Sequence, residues 1–217
     1  MTNDDHQTQL RQAAARLRSN GLLRPNDSTS LRVPGTGHFL YLQTGASETS
    51  DFSLTERQIG EVETHRLVYT VRPDVGAVLF GSLPFGSQLH QAGAIVPSVF
   101  DAQLRCLGAE TLRITTPSDP PSAQQAFRNG ANAFVVLDFG APARALCFGF
   151  ALDLLLFNTE LLEKCAKAYL VAAATGMPIR RLPWFVRWIA TRRLAKDSRL
   201  AAGHFARGAA ANIKKPY

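Results

Sequence analysis

Apolar and polar positions alternate along the chain with the two periods that distinguish helices from strands. Residues 5–19 follow the helical period, which predicts an amphipathic helix that ends before Gly21. The apolar face of this helix is formed by Leu10, Ala13, Ala14 and Leu17. Residues 29–33 and 38–43 predict two strands, and the turn-forming residues 34–37 between them predict that these strands form a hairpin.

From residue 53 onward, helical patterns alternate with short apolar runs. The sequence from Ser53 to Glu56 has the form of a capping box, which predicts a helix that begins there and ends near Val71, before Pro73. Apolar runs predict buried strands at 77–80, 111–114, 133–137 and 146–150. Helical patterns cover 85–91, 122–128 and 151–175. This order of elements predicts an α/β fold in which helices cover both faces of a mixed sheet.

The composition indicates one globular domain in a reducing compartment. The chain has 217 residues, of which 46% are hydrophobic and 19% are charged, and these values are typical of a folded domain. Its longest apolar run is shorter than the roughly 18–20 residues that span a bilayer, and its polar first residues do not resemble a secretory signal. Cys106, Cys147 and Cys165 are scattered and form no Cys-x-x-Cys pair. We therefore expect a cytoplasmic protein with reduced thiols.

Positive charge is concentrated in the last part of the chain. Residues 179–217 contain ten Lys or Arg and one acid, so their net charge is +9, whereas the whole chain carries +7 and the remainder sums to −2. This contrast predicts a domain at 1–178 and a basic helical extension at 179–217. A spacing of four places Trp184 and Trp188 on one face of a helix within this extension.

The basic extension admits two interpretations. Arginine and large aromatic side chains are typical of protein interfaces, so we expect the extension to pack on the domain or on a neighbouring subunit. The alternative is contact with an anionic membrane or with nucleic acid through the same side chains. The first interpretation is our prediction, and neither a membrane nor a nucleic acid is predicted as a partner.

The central part of the chain carries an ordered set of polar and aromatic residues. They read Glu61-x-x-x-His65-x-x-Val68-Tyr69, then Arg72-Pro73-Asp74, then a strand that ends at Ser82. This stretch resembles the class II aldolase/adducin family, which includes fuculose-phosphate aldolase and ribulose-phosphate epimerase. Weaker similarities to that family occur at Ser30-x-Arg32, Thr44-Gly45, residues 135–140 and Glu163-x-x-Ala166-x-x-Tyr169. The resemblance implies a three-layer αβα sandwich with a largely antiparallel sheet, and symmetric tetramers with active sites between subunits.

The chain departs from this family at the metal-binding positions. The family's strand ends His-x-His, and those two histidines, with a third in a following turn, bind zinc or a similar cation. In this chain Phe80 and Ser82 stand at the first two positions, and Phe139 is the residue matched to the third. Phenylalanine has no lone pair for a metal, and zinc prefers imidazole, thiolate and carboxylate ligands. We therefore expect no metal and no other cofactor.

The resemblance and the residue types together suggest a set of site residues. Glu61 is the expected acid/base, with His65 as its partner because a spacing of four places both on one helix face. The expected substrate-binding residues are Arg32, Thr44, Gly45, Ser82, His90 and Asp138. Alternatives remain open: Glu61 and His65 as a structural pair, a new metal site with His90, and Asp138 as a turn cap.

Three functions follow from these observations. The first is a metal-independent lyase or isomerase type of enzyme that acts on a small carbonyl or carboxylate compound. The second is a non-catalytic scaffold or ligand-binding domain, as the head domain of adducin is within that family. The third is a binder of nucleic acid or membrane that acts through the basic extension. The first is the prediction, and the second is its principal alternative.

Overall fold

The computed structural model describes residues 2–46, 48–90, 96–115, 120–137, 141–176 and 178–213. Helices and strands alternate along these ranges. In chain order they are α1 (Asn3–Ser19), β1 (Ser28–Val33), β2 (His38–Gln43), β3 (Ser50–Ser53), α2 (Gly60–Val71), β4 (Ala77–Gly81), a 3-10 turn (Ser87–His90), α3 (Asp101–Cys106), β5 (Leu112–Thr115), α4 (Pro120–Phe127), β6 (Ala133–Leu137), β7 (Arg144–Gly149), α5 (Leu152–Ala174) and α6 (Trp184–Ala206).

The strands form one seven-stranded sheet in the order β3-β2-β1-β4-β7-β6-β5. Neighbouring strands pair antiparallel, and only β5 and β6 run parallel among the strands that the structure describes. The sheet is therefore mixed and largely antiparallel, which confirms the predicted fold class.

Two apolar cores lie on opposite faces of this sheet because successive strand residues point to opposite sides. In β4, Leu79 belongs to the core under α1 and α5, and Val78 belongs to the core under α2 and α4. The second core is rich in aromatic rings, with Phe127, Phe134 and Phe148 in mutual contact at 5.3 to 5.7 Å between ring centroids. Helices thus cover both faces and form the predicted three layers.

The prediction for the start of α2 was wrong. Ser53 ends β3, and its hydroxyl accepts a hydrogen bond from the Thr55 amide at 3.2 Å in a local turn. The helix begins at Gly60, and the side chain of the preceding residue, Ile59, forms no capping hydrogen bond. A hydroxyl followed by an acid three residues later also fits a turn, because Ser side chains satisfy nearby amides in both settings. The strand β3 and the short helix α3 were missing from the predicted elements.

A buried ion pair ties the end of α2 to the loop before β6. The guanidinium of Arg72 donates to both carboxylate oxygens of Asp74 at 2.7 and 2.8 Å. It also donates to the Ala131 carbonyl at 2.7 Å and to the Asn132 side-chain oxygen at 2.8 Å. Every one of these contacts is shielded from water, since Arg72 and Asp74 are each 5% exposed.

The helix α6 packs on the domain through small or branched side chains and leaves its large ones exposed. Its buried residues are Ala190, Leu194 and Ala201. Its exposed apolar residues are Trp184, Phe185, Trp188, Ile189 and Leu200. None of the helices in the described ranges is long and apolar enough to cross a membrane. The unburied aromatic surface at the start of α6 is therefore a candidate contact surface.

Candidate active site around Glu61

The strand β1 presents two hydroxyl groups to the helix α2. Ser28 and Ser30 alternate along β1 and so share one face of the sheet. His65 lies between them with no solvent exposure. Its Nε2 is 3.0 Å from the Ser28 hydroxyl, and its Nδ1 is 2.7 Å from the Ser30 hydroxyl. The Ser30 hydroxyl is also 2.7 Å from the phenol oxygen of Tyr69, one turn further along α2.

Burial keeps the His65 imidazole neutral. Desolvation is the main cause, and the positive charge of Arg144 adds to it; together they lower the pKa of His65 from 6.5 to about 3. The edge of the Tyr41 ring packs against the imidazole at 5.2 Å between centroids and completes its enclosure. A neutral imidazole has one donor and one acceptor nitrogen, so His65 donates one hydrogen bond and accepts the other.

Glu61 lies at the open end of this network, where its side chain is 30% exposed. Its carboxylate forms an ion pair with the Arg144 guanidinium, which donates through both terminal nitrogens. It also accepts from the Ser28 hydroxyl at 3.1 Å. Glu61 and His65 are therefore linked through the Ser28 hydroxyl, which forms a hydrogen bond with each of them.

The ion pair fixes the direction of the hydrogen bonds behind Glu61. An ionised carboxylate only accepts, so the Ser28 hydroxyl donates to Glu61 and accepts from Nε2–H of His65. The Nδ1 of His65 then carries no hydrogen and accepts from the Ser30 hydroxyl, which in turn accepts from the Tyr69 phenol. We infer a single tautomer of His65, protonated at Nε2.

Arg144 is the first residue of β7 and is held on several sides. Its guanidinium stacks on the Phe80 ring at 3.9 Å from the ring centroid, and its Nη2 donates to the Phe80 carbonyl at 3.1 Å. The carboxylate of Asp27 lies 3.9 Å from the same nitrogen. Asp27 is itself fixed, since its two oxygens accept from the amides of Ser82 at 2.9 Å and Arg24 at 2.7 Å. The site thus contains one rigidly placed cation beside two carboxylates.

No family model matches the sequence, and no curated protein matches it. Several solved structures, by contrast, match the fold of this chain. An L-fuculose 1-phosphate aldolase superposes with a TM-score of 0.76 at 16% identity and covers 90% of this chain and 98% of its own. The chain has the class II aldolase fold. The L-fuculose-1-phosphate aldolase from Thermus thermophilus has a TM-score of 0.63 at 20% identity and covers 81% and 97%. An aldolase II superfamily protein from Pseudomonas syringae has a TM-score of 0.61 at 16% identity and covers 94% and 93%.

The described residues at two of the expected metal-ligand positions lack the side chains that zinc prefers. Phe80 and Ser82 stand at two positions where imidazole ligands are expected, and Phe80 carries the Arg144 guanidinium on its ring. Within the described ranges, no three His, Cys, Asp or Glu side chains converge as a metal site requires.

The other predicted site residues separate into three groups. Ser82 and Thr44 adjoin the cluster through Asp27, because the Thr44 amide donates to the Asp27 carbonyl at 2.8 Å. Gly45 follows with φ of 99°, in the left-handed region that favours glycine. Asp138, Phe139 and the side chain of His90 lie outside the described residues.

Arg32 lies at the other end of α2, and its contacts are structural. Its guanidinium donates to the carbonyls of Tyr69, Arg72 and Val75 at 2.6 to 3.1 Å. Its charge also faces the rings of Tyr69 and Phe205. These contacts join the end of α2 to β1 and leave Arg32 out of the cluster around Glu61.

Sequence reasoning missed four members of the site. They are Asp27, Ser28, Tyr41 and Arg144. Ser28 lies just before the predicted strand 29–33, and its spacing of two from Ser30 was a usable signal, because two hydroxyls on a buried face need partners. For Arg144 the signal was weak, since a single arginine after a Pro-Ala pair resembles a loop residue.

A separate cavity lies away from Glu61. It has a volume of about 580 Å³ and is lined by α6, by the loop after α4 and by the loop before β5. Its lining includes Arg128, Thr191 and Arg199 and none of the residues around Glu61. The candidate active site is therefore defined by its polar cluster and not by this cavity.

Proposed function

We propose that this chain is a lyase or isomerase type of enzyme that acts on a small carbonyl or carboxylate compound without a metal. The observation that carries this proposal is the Glu61 carboxylate, which is partly exposed and lies against a fixed guanidinium. A carboxylate that moves a proton and a cation that stabilises the resulting negative charge are the two groups that enolate chemistry requires.

The proposed reaction begins with proton transfer. A carboxylate oxygen of Glu61 takes a proton from the carbon next to a substrate carbonyl, and the electron pair of that C–H bond moves to form an enolate. The negative charge on the enolate oxygen faces a cationic side chain of the site. Glu61 then returns the proton to the same carbon, which regenerates the substrate, or to the former carbonyl carbon. In the second case a hydroxyl on the deprotonated carbon gives its proton to the enolate oxygen and becomes the new carbonyl, so that the carboxylate is regenerated and no oxidant or reductant is consumed.

His65 acts as a positioning residue in this proposal. Its imidazole stays neutral at physiological pH because its pKa is lowered to about 3 by burial, so it does not itself exchange protons with a substrate. It orients the Ser28 hydroxyl, which in turn holds the Glu61 carboxylate at 3.1 Å. Support of this kind fixes a catalytic group in one geometry.

Replacing Glu61 by glutamine tests the proposal without knowledge of the natural substrate. The protein is incubated in D₂O with pyruvate, hydroxypyruvate, glycolate or dihydroxyacetone, and exchange at the carbon next to the carbonyl or carboxylate is followed by proton NMR. We expect the wild type to exchange at least one of these compounds and Glu61→Gln to be slower by about 100-fold or more, as is typical for loss of an acid/base group.

A matched control is available on the same helix. Glu63 forms an ion pair with Arg66 at 2.6 Å on the outer side of α2, so Glu63→Gln should leave the exchange rate unchanged. If no exchange depends on Glu61, the enzymatic proposal is wrong. The ligand-binding alternative would then account for the cluster, since the guanidinium of Arg144 can bind an anion without any proton transfer.

We also propose that copies of this chain form a homotetramer through the start of α6. Trp184, Phe185, Trp188 and Ile189 form the aromatic surface described above, and such residues are typical of interface centres. We expect the wild type to sediment with four times the chain mass of 23.7 kDa, and Trp184→Ser/Trp188→Ser to sediment as a smaller species. Leu200→Ser, an exposed change further along the helix, is the control. A monomeric wild type would contradict the proposal.

A further inference from the structure

We propose that Arg144 binds the anionic oxygens of the substrate, so that the site selects small carboxylates and the enolates formed from them. This inference rests on the proposed function and adds the substrate class. It also assigns the positive charge of the reaction to a side chain of this chain, in a site where two of the expected metal-ligand positions hold Phe80 and Ser82.

Arg144 has the placement that an anion-binding group needs. Its guanidinium lies over the Phe80 ring, and the Phe80 carbonyl accepts a hydrogen bond from Nη2. The side chain is 20% exposed, so the group is reachable from solvent while its position is fixed. Among the described residues, its Nε has no hydrogen-bond partner. The planar fork of a guanidinium matches a carboxylate through two parallel hydrogen bonds.

The present partner of this fork shows which ligand fits. The carboxylate of Glu61 already binds both terminal nitrogens of Arg144, so the site accommodates a carboxylate in this geometry. A substrate carboxylate can take the same place and displace Glu61. Glu61 then keeps the Ser28 hydroxyl and is left with an unpaired oxygen beside the substrate. Substrate binding thereby releases the base that acts on it.

No other arginine in contact with the site serves this purpose. The donors of Arg32 are committed to three backbone carbonyls at the far end of α2. The amide of Arg24 contacts Asp27, but its guanidinium has no described contact within the cluster. Among the described residues, Arg144 alone places a positive charge against Glu61.

Oxalate is a suitable probe because it is a small planar dianion that resembles an enolate with a carboxylate. Binding is measured by isothermal titration in chelator-treated buffer at constant ionic strength, with the uncharged isostere oxamide as a comparison. We expect the wild type to bind oxalate and not oxamide. We expect Arg144→Met to weaken oxalate binding by at least ten-fold, Arg144→Lys to weaken it less, and Arg193→Met, an exposed change on α6, to leave it unchanged.

The oxalate affinity of Glu61→Gln distinguishes anion binding by Arg144 from a purely structural role. Without the competing carboxylate, the guanidinium is free, so oxalate should bind this variant about ten-fold more tightly than the wild type. The same variant is expected to lose isotope exchange. If oxalate binding depends on Arg144 but the wild type shows no isotope exchange, this inference is upheld and the proposed function fails.

Several outcomes would overturn the inference. They are equal oxalate binding by the wild type and Arg144→Met, equal binding of oxalate and oxamide by the wild type, no oxalate binding by the wild type, and oxalate binding that appears only after a divalent metal is added. Circular dichroism establishes that each variant is folded. Should Arg144→Met not fold, the wild-type comparison of oxalate with oxamide and the Arg144→Lys affinity decide the question.

Discussion

Replacing Asp74 by alanine is expected to lower the free energy of unfolding by about 3–5 kcal/mol, which is the usual cost of removing one partner of a buried ion pair. The change leaves the Arg72 guanidinium enclosed without its counter-charge, and both side chains are almost fully buried. The remaining acceptors, the Ala131 carbonyl and the Asn132 side chain, are neutral and do not replace the carboxylate.

Urea unfolding followed by circular dichroism measures this effect. Asp51→Ala is the matched control, because Asp51 forms an exposed pair with His38 and such surface pairs contribute about 1 kcal/mol or less. The double change Arg72→Met/Asp74→Leu should cost less than Asp74→Ala, since no buried charge is left unpaired. A loss below about 1 kcal/mol in Asp74→Ala would contradict the structural role assigned to the pair.

Acidification is expected to destabilise the protein strongly through His65. The folded-state pKa of His65 is about 3, below its ordinary value of 6.5, because the buried imidazole resists protonation. Its contribution to stability is therefore complete above pH 6.5 and is lost as the pH falls toward 3, where the unfolded chain binds one proton more than the folded chain. The loss amounts to about 2 kcal/mol between pH 6.5 and pH 5 and to about 4–5 kcal/mol by pH 3.

The difference between the wild type and His65→Asn isolates this contribution from the other titrating groups. We expect His65→Asn to be less stable than the wild type at pH 7, because the hydrogen bonds with both serines are disturbed, but to lose less stability between pH 7 and pH 5. His38→Gln, which alters an exposed histidine, should follow the wild-type curve. Parallel curves for the wild type and His65→Asn would show that the imidazole is not held neutral by burial.

The element order and the layer structure were predictable from the sequence because most strands and helices have a clear period. The buried strand β4 is apolar throughout, and α1 has a regular apolar face. The strand β3 was not predictable in the same way. It has four residues at the edge of the sheet, none of them fully buried, and therefore shows no strong alternation.

The site was predictable only where its residues are close in sequence. The spacing of Glu61 and His65 indicated that they share a helix face, and the structure places both in one cluster, although Ser28 stands between them. The ion pair of Glu61 with Arg144 joins residues 83 positions apart. A contact of that separation depends on the pairing of β4 with β7, and no local pattern in the sequence reports it.

The row of hydrogen bonds from Glu61 to Tyr69 has a further consequence. Each hydroxyl in the row, and the imidazole of His65, has a single hydrogen to donate, so every one of these hydrogens points along the row toward the carboxylate as long as it is ionised. A neutral Glu61 would remove that demand and allow the whole row to reverse. A ligand that neutralises the Glu61 carboxylate would thereby change the hydrogen bond of the buried Tyr69 phenol, which the ligand does not contact.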